Sequence, residues 1–212
     1  MTDREQFITN LVKGTQLVKF TNTRTSTMIW LISAFIFAAL LTYIAGPYRS
    51  GIAYELLSSF QFFFESIIGL ASIVLLIYTA FDFAIPSQRS VAKRLILPLT
   101  ILIIWIGFYV FGLMYPALEP AMADKREYCY SETFIYALPI LLVSLLWVRK
   151  QWPLHPKITG LLLGLAAGSV PALIMQFACI YEPEHILIYH ILPGLLVGFV
   201  GVVLATVMLR RP

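Results

Sequence analysis

The sequence predicts an all-α integral membrane protein built as a bundle of six transmembrane helices. The first observation is composition: of 212 residues, 59% are hydrophobic and 12% are charged, with a mean hydropathy of +0.84. A soluble domain has about 45–50% apolar and about 25% charged residues. The second observation is a series of long apolar runs, and the third is that basic residues collect in alternate segments between them. Little of the chain remains for a soluble domain.

The apolar runs predict six helices, each able to cross a hydrocarbon core of about 30 Å, which takes roughly 20 helical residues. The fourth run is the shortest. The predicted spans are 28–45, 60–84, 95–115, 134–148, 158–178 and 186–209.

The basic residues predict the orientation of these spans. With a cytoplasmic N-terminus, 12 of the 15 Lys and Arg residues fall in inner segments, and only Arg49, Lys125 and Arg126 fall outside. Cytoplasmic loops carry an excess of Lys and Arg. Both termini are therefore predicted to be cytoplasmic, which places Cys129 and Cys179 in outer loops. The net charge of +4 reflects this topology and does not predict direct nucleic-acid binding.

Residues 1–26 form a polar cytoplasmic segment, separate from the transmembrane domain at 27–212. Its residues 3–12 have helix character, because four apolar side chains share one face. Such an amphipathic helix either lies on the lipid surface or fills a groove of a partner. Its polar face is not strongly basic, which favours the partner. The proposed contact residues are Phe7, Ile8, Leu11 and Val12.

The stretch 179–194 (CIYEPEHILIYHILPG) concentrates polar chemistry in an apolar chain. It predicts a short loop from Cys179, then a helix that begins at Pro183, where a missing N–H costs nothing. Pro193 cannot donate to the carbonyl of Tyr189 and should loosen the helix there. The thiol and the imidazoles of His185 and His190 indicate either a functional cluster or a hydrogen-bonded interfacial cluster with a loop cysteine.

Two other features lie within the spans. Glycines recur every four residues in the last two spans, at 160, 164 and 168 and at 194 and 198, which favours close packing of helix backbones over a ligand site. Glu65 is the one carboxylate well inside a span. An intramembrane acid is a functional-site hypothesis by default, although a protonated or water-exposed structural role is an equal alternative.

Several functional classes lack their motifs. The sequence contains no C-x-x-C, no Walker motif, no Gly-rich dinucleotide loop and no H-E-x-x-H, and its Ser, His and Asp residues form no nucleophilic set. We therefore predict that the protein is not an enzyme and needs no obligatory cofactor. A transporter usually shows paired interrupted spans or several buried charges, and neither is evident.

The layout resembles the NrsF family of bacterial inner-membrane anti-sigma factors, named as negative regulators of sigma F. The resemblance is carried by Cys179-x5-His185-x4-His190-x2-Pro193, with support from 3–12 and from Ala84-Ile-Pro86 at the end of the second span. The first outer cysteine lies in Tyr128-Cys129-Tyr130. The resemblance covers nearly the whole chain.

This resemblance implies a mechanism. The cytoplasmic N-terminal segment would hold an extracytoplasmic-function sigma factor, and the periplasmic cysteines would respond to heavy metals or to oxidative stress. Thiols and imidazoles are good ligands for soft metal ions, and the periplasm also permits a disulfide. The expected event at Cys129 and Cys179 is therefore either a disulfide or a transient heavy-metal ion, with His185 and then His190 or Glu182 as candidate further ligands. Since both cysteines fall in outer loops next to the membrane, they should lie close together.

Two other readings stay open from the sequence. One is a small transporter or channel with Glu65, His185 and His190 along its path. The other is an assembly partner of a larger membrane complex.

Overall fold

The computed structural model describes residues 4–7, 9, 22–85, 89–119, 126–151 and 153–209, and this part of the chain contains helices and no strand. Six helices are long and apolar enough to cross a membrane, so the predicted fold class is confirmed. We number the helices in chain order. They are α1 Thr23–Ala45, the short α2 Ile52–Ser58, α3 Phe60–Phe83, α4 Val91–Gly112, α5 Cys129–Arg149, α6 Pro156–Ala178 and α7 Pro183–Met208.

Several spans begin before the apolar runs seen in the sequence, and α1 and α5 show the largest differences. The side chain of Asn22 accepts hydrogen bonds from the N–H groups of Arg24 and Thr25, so α1 begins at Thr23 and not at residue 28. α5 begins at Cys129, five residues before the predicted start at 134. The prediction that Cys129 lies in a loop is therefore wrong, because the first turn of α5 is helical although its residues are mostly polar.

α6 is the central helix of the bundle. Of the 18-residue apolar stretch that would cross the membrane, 89% is buried inside the bundle in α6, against 22% in α1. The predicted glycine stripes meet at the contact between α6 and α7, where the backbones touch. A methyl group added at Gly168 would lie 2.2 Å from the carbonyl oxygen of Gly194, and one added at Gly160 would lie 2.3 Å from that of Gly201. The packing role predicted for these glycines is confirmed.

Three connections lie at one end of the bundle, which we call the cysteine end: 46–59, the described parts 113–119 and 126–128 of the next connection, and 179–182. Hydrogen bonds join them, since Ser59 Oγ donates to the carbonyl of Ala117 and Arg49 donates to the carbonyl of Cys179. At the opposite end, Arg94 forms an ion pair with Asp82 and lies over the ring of Phe83.

Within the predicted N-terminal segment 1–26, residues 4–7 and 9 are described and helical, residues 23–26 already belong to α1, and the side chain of Phe7 is 64% exposed. Ile8, Leu11 and Val12 lie outside the described residues, so the proposed contact surface stays a prediction.

Candidate metal centre

Four side chains that can bind metal ions converge at the cysteine end, where they form what we call the thiol–imidazole centre. One ligand atom from each residue lies within 4.8 Å of the others, and all four residues are buried. The four are the predicted site residues Cys129, Cys179, His185 and His190. They come from the first turn of α5, the loop after α6 and the first turns of α7.

The two thiols are in direct contact. Cys129 Sγ and Cys179 Sγ are 2.8 Å apart, which confirms the prediction that the two cysteines lie close together, and both thiols are free. Cys179 Sγ also lies 3.3 Å from His185 Nε2. Cys179 ends α6, because its N–H still donates to the carbonyl of Met175 while its own backbone is extended.

The two histidines meet because the first part of α7 is not an α-helix. Residues five apart on an α-helix point about 140° away from each other. Ile186–Ile191 is instead a π-helix, whose repeat joins residues five apart, and the N–H of Leu192 donates to the carbonyl of Leu187. The rings of His185 and His190 are therefore only 5.1 Å apart between centroids.

The predicted local effects of both prolines are confirmed. Pro183 is the first residue of α7, and the N–H of Ile186 donates to the carbonyl of Glu182. The π-helical turns come directly before Pro193, which has no N–H to give to Tyr189. The proline therefore favours the widened turns that bring His190 beside His185, and π-helical turns are frequent at functional sites.

The imidazole of His190 is 0% exposed, and neither of its ring nitrogens makes a hydrogen bond of ordinary length and angle to a described residue. The ring makes a longer polar contact with Cys179, whose Sγ lies within 4.8 Å of a ring nitrogen. Buried polar atoms are nearly always hydrogen-bonded, so an unpartnered one needs an explanation, such as an ion that it binds. His185, in contrast, is stacked on the ring of Tyr189 at 4.6 Å and contacts Cys179 Sγ.

The donor set fits a four-coordinate soft metal ion. Structural zinc sites use four Cys or His ligands in a tetrahedron with bond lengths of about 2.0–2.3 Å, so two ligand atoms of one ion are about 3.3–3.8 Å apart. The four atoms lie within 4.8 Å of one another, so some pairs must approach by up to about 1 Å. Small side-chain rotations would let all four residues bind one ion.

Electrostatics favour a thiolate at Cys179. Its pKa lies below the ordinary value of a thiol, chiefly because the Cys129 thiol donates a hydrogen bond to it and also because of the His185 and His190 imidazoles and the backbone of Arg126. These contacts outweigh burial, which raises the pKa. Since a thiolate is the form that binds metals and reacts with oxidants, Cys179 is prepared for either chemistry.

Two arginines contact the backbone or side chains of the thiol residues, and no sequence motif assigns them to the site. Arg49 is 6% exposed and donates from Nη1 to the carbonyl of Cys179 at 3.2 Å. The carbonyl of Arg126 lies 3.4 Å from Cys129 Sγ. Their positions in the sequence could have identified them, because they are two of only three basic residues outside the predicted cytoplasmic segments.

Glu65 does not belong to the thiol–imidazole centre. It lies in α3, is 0% exposed, and accepts hydrogen bonds from Gln61 and Tyr181. The water-exposed alternative for this carboxylate is therefore wrong.

Comparisons with known proteins identify the family. No curated protein and no solved structure matches the chain. The family model described as NrsF, negative regulator of sigma F, matches residues 11–210. This range includes all six long helices and all four residues of the thiol–imidazole centre. The chain therefore belongs to the NrsF family of negative regulators of sigma F.

Proposed function

We propose that this protein is an anti-sigma factor of the bacterial inner membrane that holds an extracytoplasmic-function sigma factor and releases it when the thiol–imidazole centre binds a soft metal ion. One observation carries the sensing part of this proposal. Four metal-ligand atoms lie within 4.8 Å of one another in a mostly apolar protein, and the imidazole of His190 among them makes no hydrogen bond of ordinary geometry to a described residue.

The charge distribution supports the orientation that the proposal needs. With both termini in the cytoplasm, 12 of the 15 basic residues fall on the cytoplasmic side, as the positive-inside rule requires. The cysteine end then faces the periplasm, where a metal ion or an oxidant arrives first. The N-terminal segment faces the cytoplasm, where the sigma factor is found.

The proposed contact with the sigma factor is the amphipathic helix at residues 3–12. Its apolar face would fill a groove of the sigma factor through Phe7, Ile8, Leu11 and Val12. The described part of this segment is helical, and Phe7 is available for such a contact, since its side chain is 64% exposed. Apolar anchors of this kind typically supply most of the binding energy of a helix in a groove.

The ligand chemistry favours soft ions such as zinc or cadmium. Two thiols and two imidazoles are ligands of this class, and a set of four protein ligands leaves no open position for a substrate. Cys129 is on α5, Cys179 ends α6, and both histidines are on α7. One ion bound by all four would therefore pull three helices together at the cysteine end.

Oxidation is the second candidate signal, because the two sulfur atoms are only 2.8 Å apart. A two-electron oxidant such as a peroxide would take two electrons and two protons from Cys129 and Cys179. The products would be a disulfide bond and two molecules of water.

The sensing proposal is tested with the full-length protein in lipid nanodiscs and in cells that carry a reporter of sigma-dependent transcription. Cadmium should bind the purified protein and give a thiolate-to-metal absorption band, and it should induce the reporter. Cys179→Ser should lose both responses while it still represses the reporter. Induction of Cys179→Ser with the cadmium dose response of the unmodified protein would refute the proposed sensor, and induction of the unmodified protein by peroxide alone would favour the oxidation reading.

The partner proposal is tested separately by the double change Phe7→Asp, Leu11→Asp. Loss of buried anchors costs roughly 2 kcal/mol or more each, so the reporter should be active without any inducer. Membrane insertion should be unchanged. Gln6→Asp, which adds a charge on the exposed polar side, is the matched control and should repress normally. If the double variant still represses, the sigma factor binds elsewhere.

A further inference from the structure

Arg126 contacts the thiol–imidazole centre and the end of α1 at the same time. Its backbone carbonyl lies 3.4 Å from Cys129 Sγ and accepts a hydrogen bond from that thiol. Its side chain points the other way, and Nη2 donates to the carbonyl of Thr42 in the last turn of α1 at 3.2 Å. One residue thus joins a proposed metal ligand to a different helix.

The side chain of Arg126 is held on three sides. It is 12% exposed, and its Nε lies 3.6 Å from the carboxylate of Glu132. It packs over Gly46, where a methyl group would lie only 2.9 Å from Nη2. A long side chain that is fixed in this way transmits a displacement of its own backbone to α1.

A second connection joins Cys179 to the same end of α1. The segment directly after α1 carries Arg49, which donates to the carbonyl of Cys179. Beside it, Tyr48 folds back and donates to the carbonyl of Ala39 in α1 at 3.0 Å. Both thiol-bearing residues are therefore tied to the cysteine end of α1.

α1 is the long helix that is least embedded in the bundle. It packs through a narrow stripe of buried residues spaced four apart, Trp30, Ala34, Ala38 and Thr42. Its hydrogen bond to α5 runs from Trp30 Nε1 to Ser144 Oγ at 2.6 Å. Elements with few buried contacts move at the lowest free-energy cost. α1 also follows directly on the N-terminal segment in the sequence.

Metal binding must move Cys129. Its Sγ lies 2.8 Å from Cys179 Sγ, whereas two sulfur ligands of one tetrahedral ion are about 3.8 Å apart, so the two sulfur atoms must separate when an ion binds. The carbonyl oxygen of Arg126 lies only 3.4 Å from Cys129 Sγ and is displaced or loses its contact when that sulfur moves. A contact that differs between the metal-free and the metal-bound state is what a ligand needs to shift a conformation.

We propose that Arg126 is the positioning residue that couples the thiol–imidazole centre to α1, and that α1 is the helix that carries the signal to the N-terminal segment. This inference rests on the proposed function of the centre. It assigns to Arg126 no role in binding the metal.

The test uses the full-length protein in nanodiscs, zinc as the probe, and Trp30 as an internal reporter of α1. Zinc should change the tryptophan emission of the unmodified protein, and Trp30→Phe should abolish this change. Arg126→Ala keeps the backbone carbonyl beside Cys129 and should still bind one zinc ion, but it should lose both the emission change and the induction of the sigma-dependent reporter in cells. Gly46→Ala, which displaces the guanidinium without removing it, should weaken both responses.

The control is Lys125→Ala, which removes the neighbouring positive charge and should respond normally. The inference is overturned if Arg126→Ala keeps the full emission change and induction, or if it loses zinc affinity together with them, since Arg126 would then act on the centre itself. It also falls if zinc changes the emission of Trp30→Phe as much as that of the unmodified protein. Absence of zinc binding by the unmodified protein would refute the metal proposal and this inference with it.

Discussion

The hydroxyl of Tyr181 donates a 2.7 Å hydrogen bond to Glu65 Oε2, which joins the loop that follows Cys179 to the interior of α3. Both side chains are buried, at 1% and 0% exposure. Burial raises the pKa of Tyr181 well above its ordinary value, so the phenol remains a donor at all physiological pH values. Gln61 Nε2 donates to the other carboxylate oxygen at 3.0 Å. Glu65 thus has a structural role, which is to accept the hydrogen bonds of Tyr181 and Gln61. Its position in the sequence did not reveal these partners.

This bond predicts a measurable loss of stability in Tyr181→Phe. The change leaves one oxygen of a buried carboxyl group without a partner, which costs about 1–3 kcal/mol. The measurement is thermal unfolding in detergent, followed by helical circular dichroism. Tyr181→Phe combined with Glu65→Leu should recover part of the loss, because no buried polar atom of the pair remains. Equal stability of Tyr181→Phe and the unmodified protein would show that the bond contributes nothing.

The sequence was sufficient for the fold class and for the order of the spans, because long apolar runs have few alternatives to membrane helices. It was less informative at helix ends. Hydropathy cannot detect a polar first turn, and so α5 was predicted to begin after Cys129. The start of α1 depends on a local hydrogen bond from the backbone to the side chain of Asn22, which no average over a window can show.

The four residues of the thiol–imidazole centre were named from the sequence, but their convergence could not be derived from it. His185 and His190 are five apart, a spacing that an ordinary helix would separate. Only the π-helical turns before Pro193 bring them to one side. The roles of Arg49 and Arg126 depend on contacts 130 and 84 residues distant in the chain, which periodicity does not encode.

The lowered pKa of Cys179 predicts that its reactivity persists toward acidic pH. A free thiol has a pKa of about 8.5, and only the thiolate reacts with a methanethiosulfonate. Because the pKa is lowered, the thiolate is present at neutral pH and is lost only as the pH falls through the lowered value. Cys129→Ala removes the hydrogen bond that is the main cause of the lowered Cys179 pKa. The pH dependence of the labelling rate should therefore move to higher pH, as mass spectrometry of the labelled peptide would show. Cys129→Ser keeps a donor and should shift it less, whereas identical profiles for Cys129→Ala and the unmodified protein would contradict the prediction.

The contact between α6 and α7 predicts that Gly168→Ala is destabilising. The new methyl group would lie 2.2 Å from the carbonyl oxygen of Gly194, so the two backbones must separate. Overpacking of this kind costs about 1–3 kcal/mol. Gly107→Ala is the matched control, because nothing lies within 4 Å of its added methyl group. It should be neutral or raise the melting temperature slightly, since glycine costs about 0.5–1 kcal/mol within a helix. Equal melting temperatures for the two variants would argue against the close contact.

Because the buried imidazole of His190 makes no hydrogen bond of ordinary geometry, we predict that it serves as a metal ligand. His190→Ala removes one of four ligands. Loss of a group that only orients a metal ligand already weakens metal binding about 10–100-fold, so loss of a ligand itself should cost at least that much. The measurement is zinc affinity of the full-length protein in nanodiscs, by competition with a chromophoric chelator.

His155 is the matched control for this change, because it is the third histidine of the chain, is exposed, and lies at the opposite end of the bundle. His155→Ala should bind zinc normally. Without metal, His190→Ala should lose only the stability that the packing of the ring supplies. No further loss is expected, because the ring makes no hydrogen bond of ordinary geometry. A ligand role and a packing role therefore separate: the first lowers zinc affinity and spares the metal-free melting temperature, whereas the second lowers the melting temperature and spares the affinity.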